Sequence, residues 1–158
     1  MAQLFVISAP SGTGKTSLIH KVLEEELASK TKLGVSCTTR ERRENEEEGV
    51  AYFFLDEDAF NKKLDEGNFL EHAKVFGNLY GTPKDWVVST ISQGFDVVLE
   101  LDVQGAIQVK NAYPDAKTIF IIPPSYKDLE ERLVNRDQDS QETIEKRLSE
   151  AKQEVLSG

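Results

Sequence analysis

A chain of 158 residues has room for one domain with a real core and too little for two ordinary ones. Its 28 Asp and Glu against 19 Lys and Arg give a formal charge of -9, which disfavours long DNA or RNA as a partner but leaves room for a small nucleotide in a local basic pocket. A single cysteine, Cys37, excludes an internal disulfide and, with His20 and His72 far apart, makes a poor metal site, so a reducing, cytoplasmic setting is the default expectation.

In chain order, Met-Ala-Gln precedes an apolar run of only Leu4 to Ile7, with no basic leader, which predicts neither a signal peptide nor a membrane span. Short apolar, β-branched or aromatic runs at 4–8, 33–36, 52–55, 97–101 and 118–122 are the predicted strands. Leu18, Ile19, Val22, Leu23 and Leu27 mark one face of a helix that begins near Lys15. A further helix is predicted from about Glu57 to Glu66, and another from Pro83 through Trp86, Val87, Val88 and Ile91 to a stop at Gly94. Ser125 and Asp128 form a capping box for a helix to about Asn135, and Ile144, Leu148, Ala151 and Val155 stripe a last helix after Ser140. Strands alternating with helices predict a three-layer α/β fold, a parallel sheet with helices on both faces and its ligands at the strands' carboxyl ends. The stretch from about 35 to 86 breaks the alternation and reads as an inserted subdomain.

Directly after the first strand comes Ser8-Ala9-Pro10-Ser11-Gly12-Thr13-Gly14-Lys15-Thr16-Ser17, then the amphipathic helix. In that context it reads as a P-loop: backbone N–H groups turn inward as an anion nest, Lys15 reaches the β and γ phosphates, and Thr16 offers its hydroxyl to magnesium. Ala9 stands where the usual pattern has glycine. The bland alternative is a glycine-rich turn that binds nothing.

The run Ser36-Cys37-Thr38-Thr39-Arg40-Glu41-Arg42-Arg43, followed by Glu46 and Tyr52, joins hydroxyls, guanidinium forks and a phenol, groups suited to a phosphomonoester. Composition alone also fits a solvated loop of mixed charge over 40–48. Glu71, Tyr80 and Thr82 stand in a second block, where glycines beside Tyr80 predict a tight turn. Guanine presents N–H donors at N1 and N2 and acceptors at O6 and N7, so a selective pocket needs a carboxylate and hydroxyls, and Glu71 with Ser36 and Thr82 supplies that set. The alternatives are a surface carboxylate for Glu71 and a packing role for Tyr80. In 96–102 the strand period puts Glu100 and Asp102 on one side near the strand's end, placed to hold magnesium through water or to accept from a base, or simply to face solvent. Arg132 and Arg136 lie four apart on one helix and Arg147 on the next, so a helical hairpin over about 126–150 can swing guanidinium groups over phosphates, although ordinary helix-surface ion pairs also explain Arg132 and Arg147.

Taken together, the motifs at 8–16, 35–43, 52, 69–82, 101–105 and 132–147 make the chain resemble the guanylate kinase family over nearly its whole length. The resemblance implies a nucleoside-monophosphate kinase fold with a core at 1–34 and 87–125, a GMP-binding insertion at 35–86 and a lid at 126–150. It implies that Ser36, Glu71, Thr82 and Asp102 contact guanine, that Arg40, Arg43, Tyr52 and Tyr80 hold the GMP phosphate, and that Arg136 and Arg147 close over ATP, with Glu46 and Glu100 at the acceptor and metal sides. The expected partners are ATP with magnesium and GMP or dGMP, without nucleic-acid polymer or membrane, in a monomer or homodimer. A catalytically silent phosphopeptide-binding module of the same fold is the rival expectation. Asn45, Asn135 and Asp137 depart from the family's glycines, and the family usually continues past the position of Gly158 with a strand and a closing helix, so a shortened C-terminus is expected.

Overall fold

The protein is described from a computed structural model, covering residues 1–9, 15–24, 29–122 and 124–135 and, near the C-terminus, 142, 145–146, 148–150 and 152–153. The main sheet contains β1 (Leu4–Ser8), β2 (Thr31–Leu33), β7 (Asp96–Glu100) and β8 (Lys117–Phe120), in the order β2-β7-β1-β8, every pair parallel. Alternation along β1 and β7 sends Leu4, Val6, Val97 and Leu99 to one face, all nearly inaccessible. There they pack with Val87 of α3 (Lys84–Ser92) and Val109 of α4 (Val103–Ala112). Burying each such aliphatic side chain contributes on the order of 1.5–3 kcal/mol, which makes this face the main core. The opposite face carries Phe5, Ile7 and Val98 toward Ile19 of α1 (Lys15–Val22), around an apolar cavity of 540 Å³. Helices on both sides of a parallel sheet give the three predicted layers.

A second sheet, built from residues 37–83, runs β4-β3-β6-β5. Its strands are β3 (Cys37–Thr38), β4 (Phe53–Phe54), β5 (Phe69–Val75) and β6 (Asn78–Pro83). Its small core joins Cys37, Phe60 and Phe69, with the rings of Phe60 and Phe69 stacked at 4.5 Å. Phe60 comes from α2 (Glu57–Asp65), which starts where the Asp56 carboxylate accepts the Ala59 N–H at 2.7 Å and places Glu57 and Asp58 against the positive end of the helix. Burial pushes the Cys37 thiol up to about 11, and the residue is 1% exposed. With the thiolate fraction lowered about a hundredfold relative to the ordinary thiol, Cys37 should react with a thiol reagent at pH 8 at least about that much more slowly in the native than in the denatured chain; equal rates would contradict this packing.

Three expectations change. The strand placed at 33–36 is two strands: β2 ends at Leu33 in the main sheet, and after Gly34–Ser36 the chain enters the second sheet as β3. The turn expected beside Tyr80 lies instead at Phe76-Gly77, where both residues adopt positive φ, 48° and 83°, while Tyr80 and Gly81 sit inside β6. The hairpin tip needs the left-handed region twice, and Gly77 meets that demand without a Cβ penalty. β7 also stops at Glu100, so Asp102 lies beyond the strand and opens α4. The capping box is present as predicted: Asp128 N–H donates to Ser125 Oγ at 3.1 Å, at the start of α5 (Tyr126–Asn135).

Candidate active site

The carboxyl ends of β1 and β7 lie side by side, with Ile7 opposite Glu100. Beyond β1 the chain runs toward α1, whose first residue is Lys15. Ser11, Gly12, Thr13 and Gly14 fall outside the described residues, as does the side chain of Lys15. The Thr16 hydroxyl, on the first turn of α1, donates to Glu100 Oε1. The sequence's two candidate metal ligands therefore meet, 84 positions apart in the chain. Ser17 follows on the exposed surface of the same turn. One hydroxyl and one carboxylate make a hard-oxygen pair, which suits a magnesium ion that keeps several waters and takes its other ligands from phosphate. Among the described residues no group of three or more His, Cys, Asp or Glu is placed to hold a metal.

Across the cleft, Glu71 is 7% exposed and its Oε1 accepts the Thr82 hydroxyl at 2.7 Å. Two local features put it there. A bulge between Phe69 and Glu71 makes Leu70 an extra residue in β5, so Leu70 enters the main core while Phe69 fills the smaller one. Glu71 then stands opposite Thr82 on β6. Burial pushes its carboxyl up from the usual carboxylate range, the Thr82 hydroxyl opposes this, and the charge of Asp102 adds to the rise. Thr82, Ser36, Tyr52 and Glu100 line one cavity of 160 Å³ between the two sheets. The surface-carboxylate alternative for Glu71 is thereby excluded.

The arginine loop is ordered by its own acid. Glu46 Oε1 accepts from Arg40 Nη2 at 2.6 Å, Glu46 Oε2 accepts the Arg43 N–H at 3.0 Å, and Arg42 Nη1 donates to the Glu46 carbonyl at 2.8 Å. The Arg40 and Arg43 contacts, Arg40 first, hold the Glu46 carboxyl below its ordinary range, while Glu46, with help from the Tyr80 hydroxyl, pushes the Arg40 guanidinium further up. Arg40 lies 5.4 Å over the Tyr52 ring, and the Tyr52 and Tyr80 rings meet edge-on at 5.9 Å. Arg40, Tyr52 and Tyr80 thus form one cluster, and the segment is a folded loop rather than a solvated charge run. Arg43 is tied in through its backbone, with its residue exposed.

Asp102 has a role the strand period did not reveal. Its Oδ1 accepts the Gly105 N–H at 2.7 Å as the N-cap of α4, and a Cβ on Gly105 would lie 3.1 Å from that oxygen. Asparagine caps about as well as aspartate, so Asp102→Asn should leave the melting temperature nearly unchanged, whereas Asp102→Ala should cost about 1 kcal/mol. A loss of guanine affinity shared by both variants would separate base reading from capping; if thermal denaturation shows the two equally stable, the cap contributes nothing.

A profile of the guanylate kinase family matches residues 1–157. The chain belongs to the guanylate kinase family. It is 51% identical over 153 residues to the guanylate kinase of Hahella chejuensis, covering 97% of this chain and 73% of that one. The guanylate kinase of Coxiella burnetii is 50% identical over 98% of this chain and 74% of its own length. A crystal structure of guanylate kinase from Anaplasma phagocytophilum superposes with a TM-score of 0.67 at 31% identity, covering 98% of this chain and 71% of that one.

For this guanylate kinase family member, the structure brings Thr16 to Glu100, Thr82 to Glu71 and Arg40 to Glu46, Tyr52 and Tyr80. Arg132 lies exposed in the last turn of α5; Arg136 and Arg147 fall outside the described residues, as do Ile144, Ala151 and Val155 of the predicted last helix. Sequence reading missed Gly34 and Ala51 as small residues lining the cleft, because nothing local distinguishes a small residue beside a cavity from one in a turn.

Proposed function

We propose that the chain transfers the γ-phosphoryl group of ATP to GMP or dGMP, giving ADP and GDP or dGDP. Membership of the guanylate kinase family supports the reaction class. The observation that carries the acceptor's identity is Glu71, a buried carboxylate bonded to Thr82, which lines the cleft together with Ser36. It suits the N1 and N2 donors of guanine, whereas adenine turns an acceptor nitrogen toward it. Ser36, Thr82 and Asp102 complete the base contacts.

The acceptor needs no protein base: a phosphomonoester loses its second proton at roughly pH 6, leaving a nucleophilic oxygen at neutral pH. The chain's work is positioning and charge neutralisation. Arg40 and Arg43, with the Tyr52 and Tyr80 hydroxyls, align the acceptor phosphate, and Glu46 keeps Arg40 in place until it arrives. Ser11 to Ser17 cradle the ATP phosphates, and Lys15 takes up charge at the β–γ bridge. Arg132, Arg136 and Arg147 cover the ATP side and exclude water. Thr16, with Glu100 through water, would hold magnesium, which supplies charge neutralisation on the phosphates when bound. Gly12, Gly14, Lys15 and Thr16 all stand in the cradle sequence, which favours catalysis over a silent phosphopeptide-binding module. No helix among the described residues is long and apolar enough to cross a membrane. The lone cysteine, Cys37, fits the reducing cytoplasm in which we propose the enzyme acts, as a monomer or homodimer.

The test is ADP production from ATP and magnesium with GMP, dGMP, AMP, CMP and UMP as acceptors. GMP-selective turnover is expected. Neither turnover nor binding of GMP would turn the reading toward the phosphopeptide-binding module, and equal turnover of AMP would remove Glu71 from base selection.

A further inference from the structure

We propose that Gln108 is a positioning residue for guanine recognition, a strut that fixes where Glu71 stands relative to Asp102. The inference rests on the guanylate kinase reading of the cleft. β5 is one of the two edge strands of the second sheet, and an edge presents backbone groups that lack a neighbouring strand. At His72, the residue after Glu71, that neighbour is replaced by a side chain. Gln108 Oε1 accepts the His72 N–H at 3.1 Å, and Gln108 Nε2 donates to the His72 carbonyl at 3.2 Å. A primary amide is the side chain that offers both a donor and an acceptor in one plane, so it mimics one rung of a ladder.

The two ends of the strut matter because the two base-reading carboxylates belong to different parts of the fold. Asp102 caps α4, which extends from the main sheet, and Gln108 lies six positions along the same helix, a rise of about 9 Å. Glu71 belongs to the second sheet. On the same strand, Leu70 packs into the main core, which also takes in Val109, the neighbour of Gln108. Apolar packing at Leu70 and the amide clasp at His72 therefore hold Glu71 from both sides, and Gln108 supplies the directional half. Leu70 packing alone resists separation of β5 from α4; the two opposed hydrogen bonds also resist sliding along the strand, the motion that would change the spacing of the carboxylates.

The experiment compares wild type with Gln108→Met, which keeps the length and loses both bonds, and Gln108→Glu, which at neutral pH keeps the acceptor for the His72 N–H and loses the donor. Steady-state kinetics with GMP and with IMP, which lacks the 2-amino group, are read beside the KM for ATP and the exchange rate of the His72 amide. In Gln108→Met, the KM for GMP should rise about five- to tenfold, the effect of one to two ordinary hydrogen bonds. The preference for GMP over IMP should shrink, while kcat at saturating GMP and the KM for ATP stay within twofold. Gln108→Glu should fall between Gln108→Met and wild type. A KM for GMP within twofold of wild type in both variants overturns the proposal, as does a parallel rise in both KM values with a lower melting temperature, which marks a merely structural residue. An amide of His72 that exchanges no faster in Gln108→Met overturns the clasp whatever the substrate proves to be, and wild-type GMP turnover separately tests the kinase reading.

Discussion

Replacing Glu71 by glutamine should lower kcat/KM for GMP about a hundredfold, leave the KM for ATP unchanged and raise the melting temperature. The first effect follows from charge. Glutamine keeps an oxygen for the Thr82 hydroxyl, but it replaces the proposed carboxylate acceptor of two guanine N–H groups with one amide oxygen and an N–H donor that would face them. Each hydrogen bond to a charged group contributes roughly 1.5–3 kcal/mol, and a mispaired buried donor adds its own cost. The second effect follows from linkage. Burial, against the opposing Thr82 bond, raises the Glu71 pKa, so the folded chain binds that proton more tightly than the unfolded one. The stability this provides is full below the unfolded carboxylate value and is lost as pH rises through the folded value, so at neutral pH the ionised group opposes folding. Glutamine removes that opposition, and the gain in stability accompanies a loss of function. The wild-type KM for GMP should also rise as pH falls toward the raised Glu71 value, a limb absent from the variant. A less stable Glu71→Gln chain with normal GMP kinetics would refute both arguments.

Lys15→Ala should lower kcat by about 10²–10³-fold while leaving the dissociation constant of GMP within twofold. The proposed Lys15 ammonium meets charge that builds at the β–γ bridge during transfer, and removing one such preorganised donor from a shielded site typically has an effect of that order. Arginine should not restore the rate, because a planar fork does not occupy the place of a compact ammonium. Single-turnover ADP formation beside GMP titration separates the two sides of the cleft. Unimpaired turnover in Lys15→Ala would remove the residue from the mechanism.

How far the sequence could be read depended on whether a feature was local. The P-loop reading needed only contiguous residues between β1 and α1, and the Ser125–Asp128 cap is a four-residue device. Glu71 and Thr82 were recognisable as suitable chemistry, but their contact was not, because the Leu70 bulge breaks the period of two and the turn uses positive φ at Phe76, a residue with no turn signature. The apolar stretch through Leu33 and Ser36 hid a passage between sheets, since apolarity does not report which neighbour a strand will choose. Asp102 looked like a strand-end carboxylate because the reading extended β7 two residues past Glu100, whereas its capping bond reaches forward to Gly105. Gln108 gave no signal, as its partner lies 36 positions upstream.

The extra residue in β5 ties the fate of one sheet to that of the other. Phe69 and Leu70 are adjacent in the chain yet belong to two separate cores. Unfolding the smaller sheet alone would have to draw Leu70 out of the larger core, so the two should melt in a single cooperative transition, and the β5 amides that pair with β6 should exchange only through openings nearly as costly as global unfolding. The chain length of that strand thereby becomes a heritable constraint: deletion of one residue there would disturb base selectivity and folding cooperativity together, which no substitution at the cleft surface would do.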